Sequence, residues 1–267
     1  MMPYIKDVTL RMHQGVIRGR YFFSSLKPMK LLFDHLPKCG GSSLVGYLRE
    51  NYLERKTFQT DYFNPTASVD YFKKLPQWRR HQYDLIIGHL TRELLDYVHP
   101  NCLRVTILRE PVDRIISHYY YAKRTPEHYL YPRILASNMS LEDYATSRLS
   151  DELKNWYTCH FSGLTLDEAE RNPELSITKA FEVLTKRYDI IGFVNDYSSF
   201  ISVLSSQANL TCGNNNRRVN ESHDRPNIGD IGKSTMAKIE QVNCLDVFLY
   251  NKILANLTHE RVILRRQ

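Results

Sequence analysis

The sequence has neither a long hydrophobic run nor a paired set of cysteines. Its apolar stretches fall short of the roughly 18 residues that a membrane-spanning helix needs. Residues 1–20 hold scattered charges and no apolar stretch of signal-peptide length. The five cysteines are an odd number without short paired spacings, which argues against a zinc site or a disulfide framework. We therefore expect a protein without a membrane span in a reducing compartment, the cytoplasm.

Internal repeats and low-complexity tracts are also missing. Hydrophobic residues make up 42% and charged residues 24% of the sequence, as in ordinary globular proteins. The length of 267 residues predicts a single domain over 1–267, with a core at about 30–258 and an N-terminal extension at 1–29. The net charge of +7 favours an anionic partner, whether a nucleotide, an acidic sugar, a nucleic acid or a membrane surface.

Short apolar segments rich in Ile, Leu and Val alternate with helical patterns along the chain. We predict buried strands at residues 31–36, 83–87, 103–108 and 189–194. We predict helices at residues 44–52, 111–123 and 233–257, and a further one capped by Asp196. This alternation is typical of an α/β fold. It predicts a P-loop-like three-layer sandwich, in which helices cover both faces of a central parallel sheet.

Two segments show little regular pattern. Residues 125–173 are polar and aromatic, and we predict helices and loops laid over the carboxyl edge of the sheet. That edge is where open α/β sheets bind ligands. Residues 211–233 are rich in Asn, Gly, Arg and Asp, which predicts a long loop.

The first candidate site is the turn after the first strand, residues 37–43. Gly40 and Gly41 let the backbone approach a ligand closely, and the N–H groups of residues 40–43 would open a helix whose dipole favours an anion. Lys38 adds a positive charge. The lysine precedes the glycines, so the turn is not a Walker A motif. A glycine-softened turn with a solvated lysine is the alternative interpretation.

The second candidate site joins a strand to the next helix. Arg109 ends the strand, and Ser117 lies eight residues later on the helix, so both side chains can converge on one anion. Arg114 shares the helix face of Ser117. An ordinary ion pair with Glu110 or Asp113 is the alternative for both arginines, and it is the better interpretation for Arg114.

A third candidate is His89, which follows a strand at its carboxyl end. Histidine titrates near neutrality and can take a proton from an attacking alcohol. A histidine that hydrogen-bonds locally to end the strand is the alternative. Glu93 could orient the ring or be the base itself, and we interpret His35 as structural and His118 as helix surface or packing.

Taken together and in order, these motifs resemble those of PAPS-dependent carbohydrate sulfotransferases (PAPS is 3′-phosphoadenosine-5′-phosphosulfate). Pro-Lys-Cys-Gly-Gly-Ser-Ser-Leu looks like the 5′-phosphosulfate loop of that family, and Leu-Arg-Glu-Pro-Val-Asp-Arg-Ile-Ile-Ser-His-Tyr-Tyr is similar to its 3′-phosphate motif. Ile-Gly-His resembles the Gly-His element between them. Further similar segments follow in the order of the family: Tyr-Asp-Ile-Ile-Gly-Phe-Val, Arg-Val-Asn-Glu-Ser with Arg-Pro, and Leu-Asp-Val-Phe-Leu-Tyr. The resemblance covers roughly residues 31–250.

The resemblance implies a sulfotransferase that moves a sulfuryl group from PAPS to an acceptor hydroxyl by in-line displacement, without a metal. It implies that His89 is the general base and that Lys38 contacts the sulfate and the bridging oxygen. The 3′-phosphate would be held by Arg109 and Ser117. The 5′-phosphate would be held by the backbone of Cys39, Gly40, Gly41, Ser42 and Ser43.

Further segments are candidate contributors. Residues 155–163 stand where the family has a segment near the acceptor. The tyrosines at 119–121 and 129–131 could stack on sugar rings, but core or surface packing is the favoured interpretation for them. Four basic residues are candidates for closing over the adenine and the 3′-phosphate, with a solvated basic loop as the alternative: Arg217, Arg218, Arg225 and Lys233.

Two other functions compete with this interpretation. A P-loop-type nucleotide kinase is disfavoured by the position of the lysine and by the lack of a clear acidic strand end for Mg²⁺. A non-catalytic module that binds polyanions or nucleic acid is permitted by the charge, but the basic residues form no single stripe. We expect a small-molecule or glycan acceptor and no nucleic acid; neither the acceptor nor the oligomeric state follows from the sequence.

Overall fold

The computed structural model describes residues 27–211, 225–226, 228–256 and 263–264. The strands in these ranges are β1 (Leu31–Asp34), β2 (Thr57–Gln59), β3 (Leu85–Gly88), β4 (Leu103–Leu108), β5 (Ile190–Phe193) and β6 (Ile263–Leu264). The first helices are α1 (Gly41–Arg49), α2 (Pro65–Lys74), α3 (Gln77–Arg80), α4 (Pro111–Arg124), α5 (Tyr131–Ala136) and α6 (Leu141–Thr146). The later helices are α7 (Trp156–Ser162), α8 (Leu166–Arg171), α9 (Pro173–Arg187), α10 (Tyr197–Gln207), α11 (Lys233–Val242) and α12 (Cys244–Ala255).

One sheet carries all six strands in the order β2-β3-β1-β4-β5-β6. The pairs among β1 to β5 are parallel, and β6 pairs antiparallel to β5. The predicted α/β fold with a central parallel sheet is confirmed. The antiparallel edge strand was not expected.

The helices cover the sheet on both faces. Because crossovers between parallel strands are right-handed, α1 lies on the face opposite α9. Helix α10 packs beside α1, where Tyr47 Oη lies 2.7 Å from Ser205 Oγ. Between the layers, Leu32, Phe33 and Ile107 are buried, as strands covered on both faces require.

The strand register places the candidate residues at one edge. Asp34 at the end of β1 pairs with Gly88 of β3 on one side and with Thr106 of β4 on the other. The turn after β1, His89 after β3 and Arg109 after β4 therefore leave the sheet side by side.

The weakly periodic segment at 125–173 contains short helices, as predicted. Helices α5 to α8 have six or seven residues each, which is too short for a clear 3.6-residue pattern. Two of them begin with a capping box, Ser140 with Asp143 in α6 and Thr165 with Glu168 in α8. Local capping rather than a long apolar face starts these helices.

The prediction of a single helix over 233–257 is wrong, because the helix is interrupted at Asn243, between α11 and α12. The Asn243 side chain accepts a hydrogen bond from the backbone N–H of Asn155 at 3.1 Å. Just beyond the break, the Asp246 carboxylate accepts the backbone N–H groups of Tyr157 and Thr158 at 3.0 and 2.8 Å. The break thus fixes the first turn of α7 against α12.

Two other boundaries also shift. The helix predicted at 44–52 begins three residues earlier, at Gly41, and ends at Arg49. Strands β1, β3 and β5 are shorter than or offset from the predicted segments, whereas β4 has the predicted bounds. Within the described ranges, no helix has both the length and the apolar character that crossing a membrane requires.

Candidate active site

A cavity of about 710 Å³ opens at the carboxyl edge of the sheet. Its wall includes the turn after β1, the end of β3, the strand end of β4 and one face of α4. Nine of the ten predicted site residues line it: Lys38, Gly40, Gly41, Ser42, Ser43, His89, Arg109, Ser117 and Arg225. The sequence therefore brings together residues from three strand ends and one distant loop.

The turn after β1 faces this cavity. Lys38 and Gly40 adopt left-handed backbone angles, with φ of 64° and 72°. Glycine adopts this conformation without steric strain because it has no Cβ. Helix α1 then starts at Gly41 without a side-chain cap. The start of a helix without a side-chain cap favours an anion through its N–H groups and its dipole.

Cys39 is the one predicted site residue outside the cavity wall. Its side chain is buried, and Sγ lies 2.9 Å from Tyr157 Oη. Burial raises the pKa of this thiol, so the side chain is neutral and unreactive. The backbone N–H of Cys39 donates to the carbonyl of Leu36 at 3.4 Å, within the turn itself.

Lys38 carries a charge in an unfavourable environment. Its Nζ lies 3.5 Å from the centroid of the Tyr121 ring. Burial lowers the pKa of Lys38 to about 8, with further lowering by Arg124 and Arg109. An anion in the cavity would relieve this electrostatic cost, so the lysine favours a negatively charged ligand.

Arg109 and Arg225 share one carboxylate. Arg109 Nε donates to Asp113 Oδ2 at 2.5 Å, and Arg225 Nη2 donates to Asp113 Oδ1. Arg109 Nη1 also donates to the carbonyl of Lys38 at 3.2 Å, which links the two candidate anion sites. The ion pair with Asp113 predicted as the alternative for Arg109 therefore exists, yet Arg109 still lines the cavity. Two arginines on one carboxylate leave a net positive charge.

Arg114 does not bind Glu110 or Asp113, so the predicted pairing is wrong for this residue. The guanidinium is fully buried, 5.8 Å from the Trp156 ring and 5.0 Å from the Tyr157 ring. It donates to the backbone carbonyl of Glu152 at 2.9 Å. Arg114 therefore supports the cavity wall from behind.

His89 is oriented as a base should be. Its Nδ1 lies 2.7 Å from the backbone carbonyl of His35. Because a carbonyl only accepts, Nδ1 carries the hydrogen, and Nε2 of the neutral ring keeps its lone pair. The ring is held by stacking on His35 at 4.7 Å and by contact with Tyr62 at 5.8 Å between centroids.

The neighbouring His35 is neutral and fixed. Its ring stacks on Phe33 at 5.5 Å as well as on His89. Burial lowers the pKa of His35 to about 3, with a further contribution from His89. These contacts agree with the structural interpretation of His35.

The rival base Glu93 is engaged elsewhere. Its carboxylate binds Arg92 at 2.7 Å and Lys73 at 3.3 Å, and it does not line the cavity. The geometry favours His89 over Glu93.

Sequence reasoning missed an acidic patch in the wall. Glu152 lines the cavity and accepts a hydrogen bond from His118, which is buried rather than on the helix surface. These two residues are 34 positions apart and belong to no motif, so no spacing pattern indicated the contact.

Other predicted contributors divide between the cavity and the core. Of residues 155–163, Trp156 lines the cavity, whereas Thr158 anchors α7 to Asp246. Of the tyrosines, Tyr121 and Tyr129 line it, but Tyr119 is buried. Lys233 is exposed at the start of α11 and is absent from the lining, and Arg217 and Arg218 lie outside the described residues.

A comparison with protein families identifies the chain. The sequence profile of the sulfotransferase family matches residues 21–251, which covers the strands β1 to β5, the turn after β1 and the cavity-lining helix α4. No curated protein matches the chain.

Proposed function

The chain belongs to the sulfotransferase family, and we propose that it transfers a sulfuryl group from PAPS to a hydroxyl of a carbohydrate or glycoconjugate. The observation that carries this proposal is one cavity with two linked cationic sites and a histidine whose ring is oriented by a hydrogen bond. Lys38 and the start of α1 form the first cationic site; Arg109 and Arg225 form the second.

The cavity residues fit a nucleotide with phosphates at both the 5′ and 3′ positions. The backbone N–H groups at the start of α1 and Lys38 would hold the 5′-phosphosulfate. Arg109, Arg225 and the Ser117 hydroxyl would hold the 3′-phosphate, since guanidinium groups suit phosphate oxygens. A volume of about 710 Å³ lies in the range of ligand pockets.

Two side chains would then do the chemistry. PAPS supplies the sulfuryl group. His89 Nε2 accepts the proton of the attacking acceptor hydroxyl, and Nδ1 stays bonded to the carbonyl of His35. Lys38 offsets the negative charge that grows on the bridging oxygen. Positioning and electrostatic stabilisation supply most of the rate, as in phosphoryl transfer.

A carbohydrate acceptor is supported by the aromatic side chains near His89. Phe63 is 84% exposed, and Tyr62 and Tyr129 are also exposed although all three line the cavity. Exposed rings that face a cavity offer apolar faces and polar edges to a ligand such as a sugar ring.

Transfer of label from ³⁵S-PAPS to a panel of glycans, glycolipids and phenols tests the proposal. We expect labelled product with glycans and about 10²–10⁴-fold slower labelling by a His89→Asn variant that still binds PAP, the desulfated nucleotide. Transfer from γ-labelled ATP without transfer from PAPS would support the kinase instead. PAP binding that gives no transfer to any acceptor class would contradict the enzymatic proposal.

A further inference from the structure

A carboxylate stands in the cavity wall apart from the cations. Glu152 lies in the short 3-10 helix Asp151–Leu153, and its side chain is 31% exposed. Arg109 bonds the carbonyl of Lys38, whereas the Glu152 side chain bonds His118. The cavity wall therefore carries a cationic group of residues at Lys38 and a separate carboxylate at Glu152.

Hydrogen bonds fix the Glu152 carboxylate. Burial lowers the pKa of His118, so its ring is neutral. The Tyr144 hydroxyl donates to His118 Nδ1 at 2.6 Å, and His118 Nε2 donates to Glu152 Oε2 at 2.8 Å. The backbone of Glu152 is held by Arg114 at 2.9 Å. Within the described part of the chain, no donor reaches the other carboxylate oxygen, Oε1.

This carboxylate is ionised at neutral pH. Burial alone would raise the pKa of Glu152, but the hydrogen bond from His118 and the positive charge of Arg114 outweigh it, and the pKa lies below its ordinary value. Tyr129 lies beside this residue, because its Oη is 2.7 Å from Ser150 Oγ, which accepts the backbone N–H of Glu152 at 3.2 Å. Glu152 thus lines the same cavity as His89 and the exposed rings, where the acceptor must bind.

From this arrangement we infer that Glu152 determines which acceptor the enzyme takes. Its Oε1 accepts a hydrogen bond from a hydroxyl or ammonium group of the acceptor sugar, and its charge excludes a carboxylate or sulfate at that position. The acceptor residue is then a neutral or amino sugar rather than a uronic or sulfated one. The inference rests on the proposed function, because it names the acceptor class of the same site.

A matched pair of glycosides isolates the effect of charge. Phenyl β-glucoside and phenyl β-glucuronide differ in a single carboxylate, and calorimetry on the PAP-loaded protein gives the affinity for each. A like charge at close range costs several kcal/mol, so we expect the wild type to bind the glucoside about tenfold tighter or more. Glu152→Gln should bring the two affinities to within about threefold of each other.

Two further variants are controls. Glu127→Gln removes the same charge from an exposed residue of the cavity wall and should keep the wild-type preference. Glu152→Asp keeps the negative charge and should also keep the wild-type preference for the glucoside. An unchanged preference in Glu152→Gln, an equal change in Glu127→Gln, or no binding of either glycoside to the wild type overturns the inference. PAP heats recorded in the same titrations separate the outcomes, since failure of the wild type to bind PAP would instead overturn the proposed function.

Discussion

Lys38 is the residue whose charge depends most on what fills the cavity. Burial, Arg124 and Arg109 lower the pKa of Lys38 to about 8. A bound anion favours the protonated form, so linkage gives full nucleotide affinity below about pH 8 and a loss above it. We expect PAP affinity, measured by calorimetry, to fall toward about tenfold per pH unit above that point.

Lys38→Arg is the matched variant for this titration. A guanidinium keeps its charge throughout this pH range, so the variant should bind PAP with little change between pH 7 and 10. If the wild type is equally insensitive to pH, Lys38 does not hold the nucleotide through its charge.

The oriented ring of His89 allows a second prediction. His89→Asn keeps a side-chain N–H that can bond the His35 carbonyl but has no basic lone pair. Turnover should fall by about 10²–10⁴-fold, the usual contribution of a general base. PAP affinity should stay near that of the wild type. Initial rates with PAPS and calorimetry with PAP measure the two effects.

Glu93→Gln is the control for His89→Asn. Glu93 is bound by Arg92 and Lys73 outside the cavity, so this variant should keep its turnover. Loss of transfer in Glu93→Gln together with near-normal transfer in His89→Asn would move the base to Glu93.

Motifs located the cationic residues, and spacing offered Asp113 as a partner of Arg109, but neither indicated Glu152. Lys38, His89 and Arg109 each follow a strand, and the carboxyl ends of parallel strands meet at one edge, so their proximity could be predicted. Glu152 reaches the cavity only because Arg114 and His118 hold it, and these contacts span 34 to 38 positions. Tertiary contacts of this kind leave no local pattern in a single sequence.

At the scale of elements, the start of α1 packs tightly against the His35 ring. A Cβ at Gly41 would lie 2.0 Å from Cδ2 and 2.1 Å from Nε2 of His35. His35 has no room to move, because its ring is stacked between Phe33 and His89. Gly41→Ala should therefore lower the free energy of unfolding by about 1–3 kcal/mol. It should also reduce turnover, since His89 shares the stack; thermal melts and initial rates measure both effects.

Gly46→Ala is a control within the same helix. Gly46 is exposed, and a Cβ there meets nothing within 4 Å. Alanine in a helix interior is favoured over glycine by about 0.5–1 kcal/mol, so this variant should be slightly more stable and fully active. Equal behaviour of the two variants would show that the contact between α1 and His35 is unimportant.

The length of an element and its dependence on tertiary contacts determined whether it could be predicted from the sequence. Strand β4, a six-residue apolar run, has the predicted bounds, but β2 and β6 have three and two residues and were missed. The break between α11 and α12 was missed because apolar residues continue past it. Asn243 ends α11 by bonding Asn155, a contact 88 positions distant in the sequence.

At the scale of the whole molecule, distant parts of the chain converge on the second cationic site. Asp113 of α4 holds Arg109, at the end of β4, together with Arg225, which is 112 positions away from it. A ligand bound to both arginines should therefore stabilise the entire fold.

The single domain over residues 1–267 and the cytoplasmic location stay predictions.

Nucleotide choice tests this convergence. A ligand with both 5′ and 3′ phosphates can contact Lys38 and the two arginines at once, whereas AMP and ATP lack the 3′-phosphate. At 100 times its Kd, PAP stabilises the native state by about 2.7 kcal/mol, which corresponds to about 5 °C or more in melting temperature. AMP and ATP at the same concentration should give much smaller shifts, and equal shifts for PAP and ATP would exclude a two-site nucleotide.

Arg109→Ala tests whether the second cationic site accounts for the tighter binding of PAP relative to AMP. Arg225 still neutralises Asp113 in this variant, so the carboxylate keeps a partner and the fold should survive. Charged hydrogen bonds contribute about 1.5–3 kcal/mol each, so PAP affinity should fall about tenfold or more, while the weaker binding of AMP changes little. Arg187→Ala, which removes an exposed arginine bound to Asp96, is the matched control and should leave both affinities unchanged. Unaltered PAP binding by folded Arg109→Ala in calorimetry would show that the 3′-phosphate lies elsewhere, because the guanidinium is then not among its ligands.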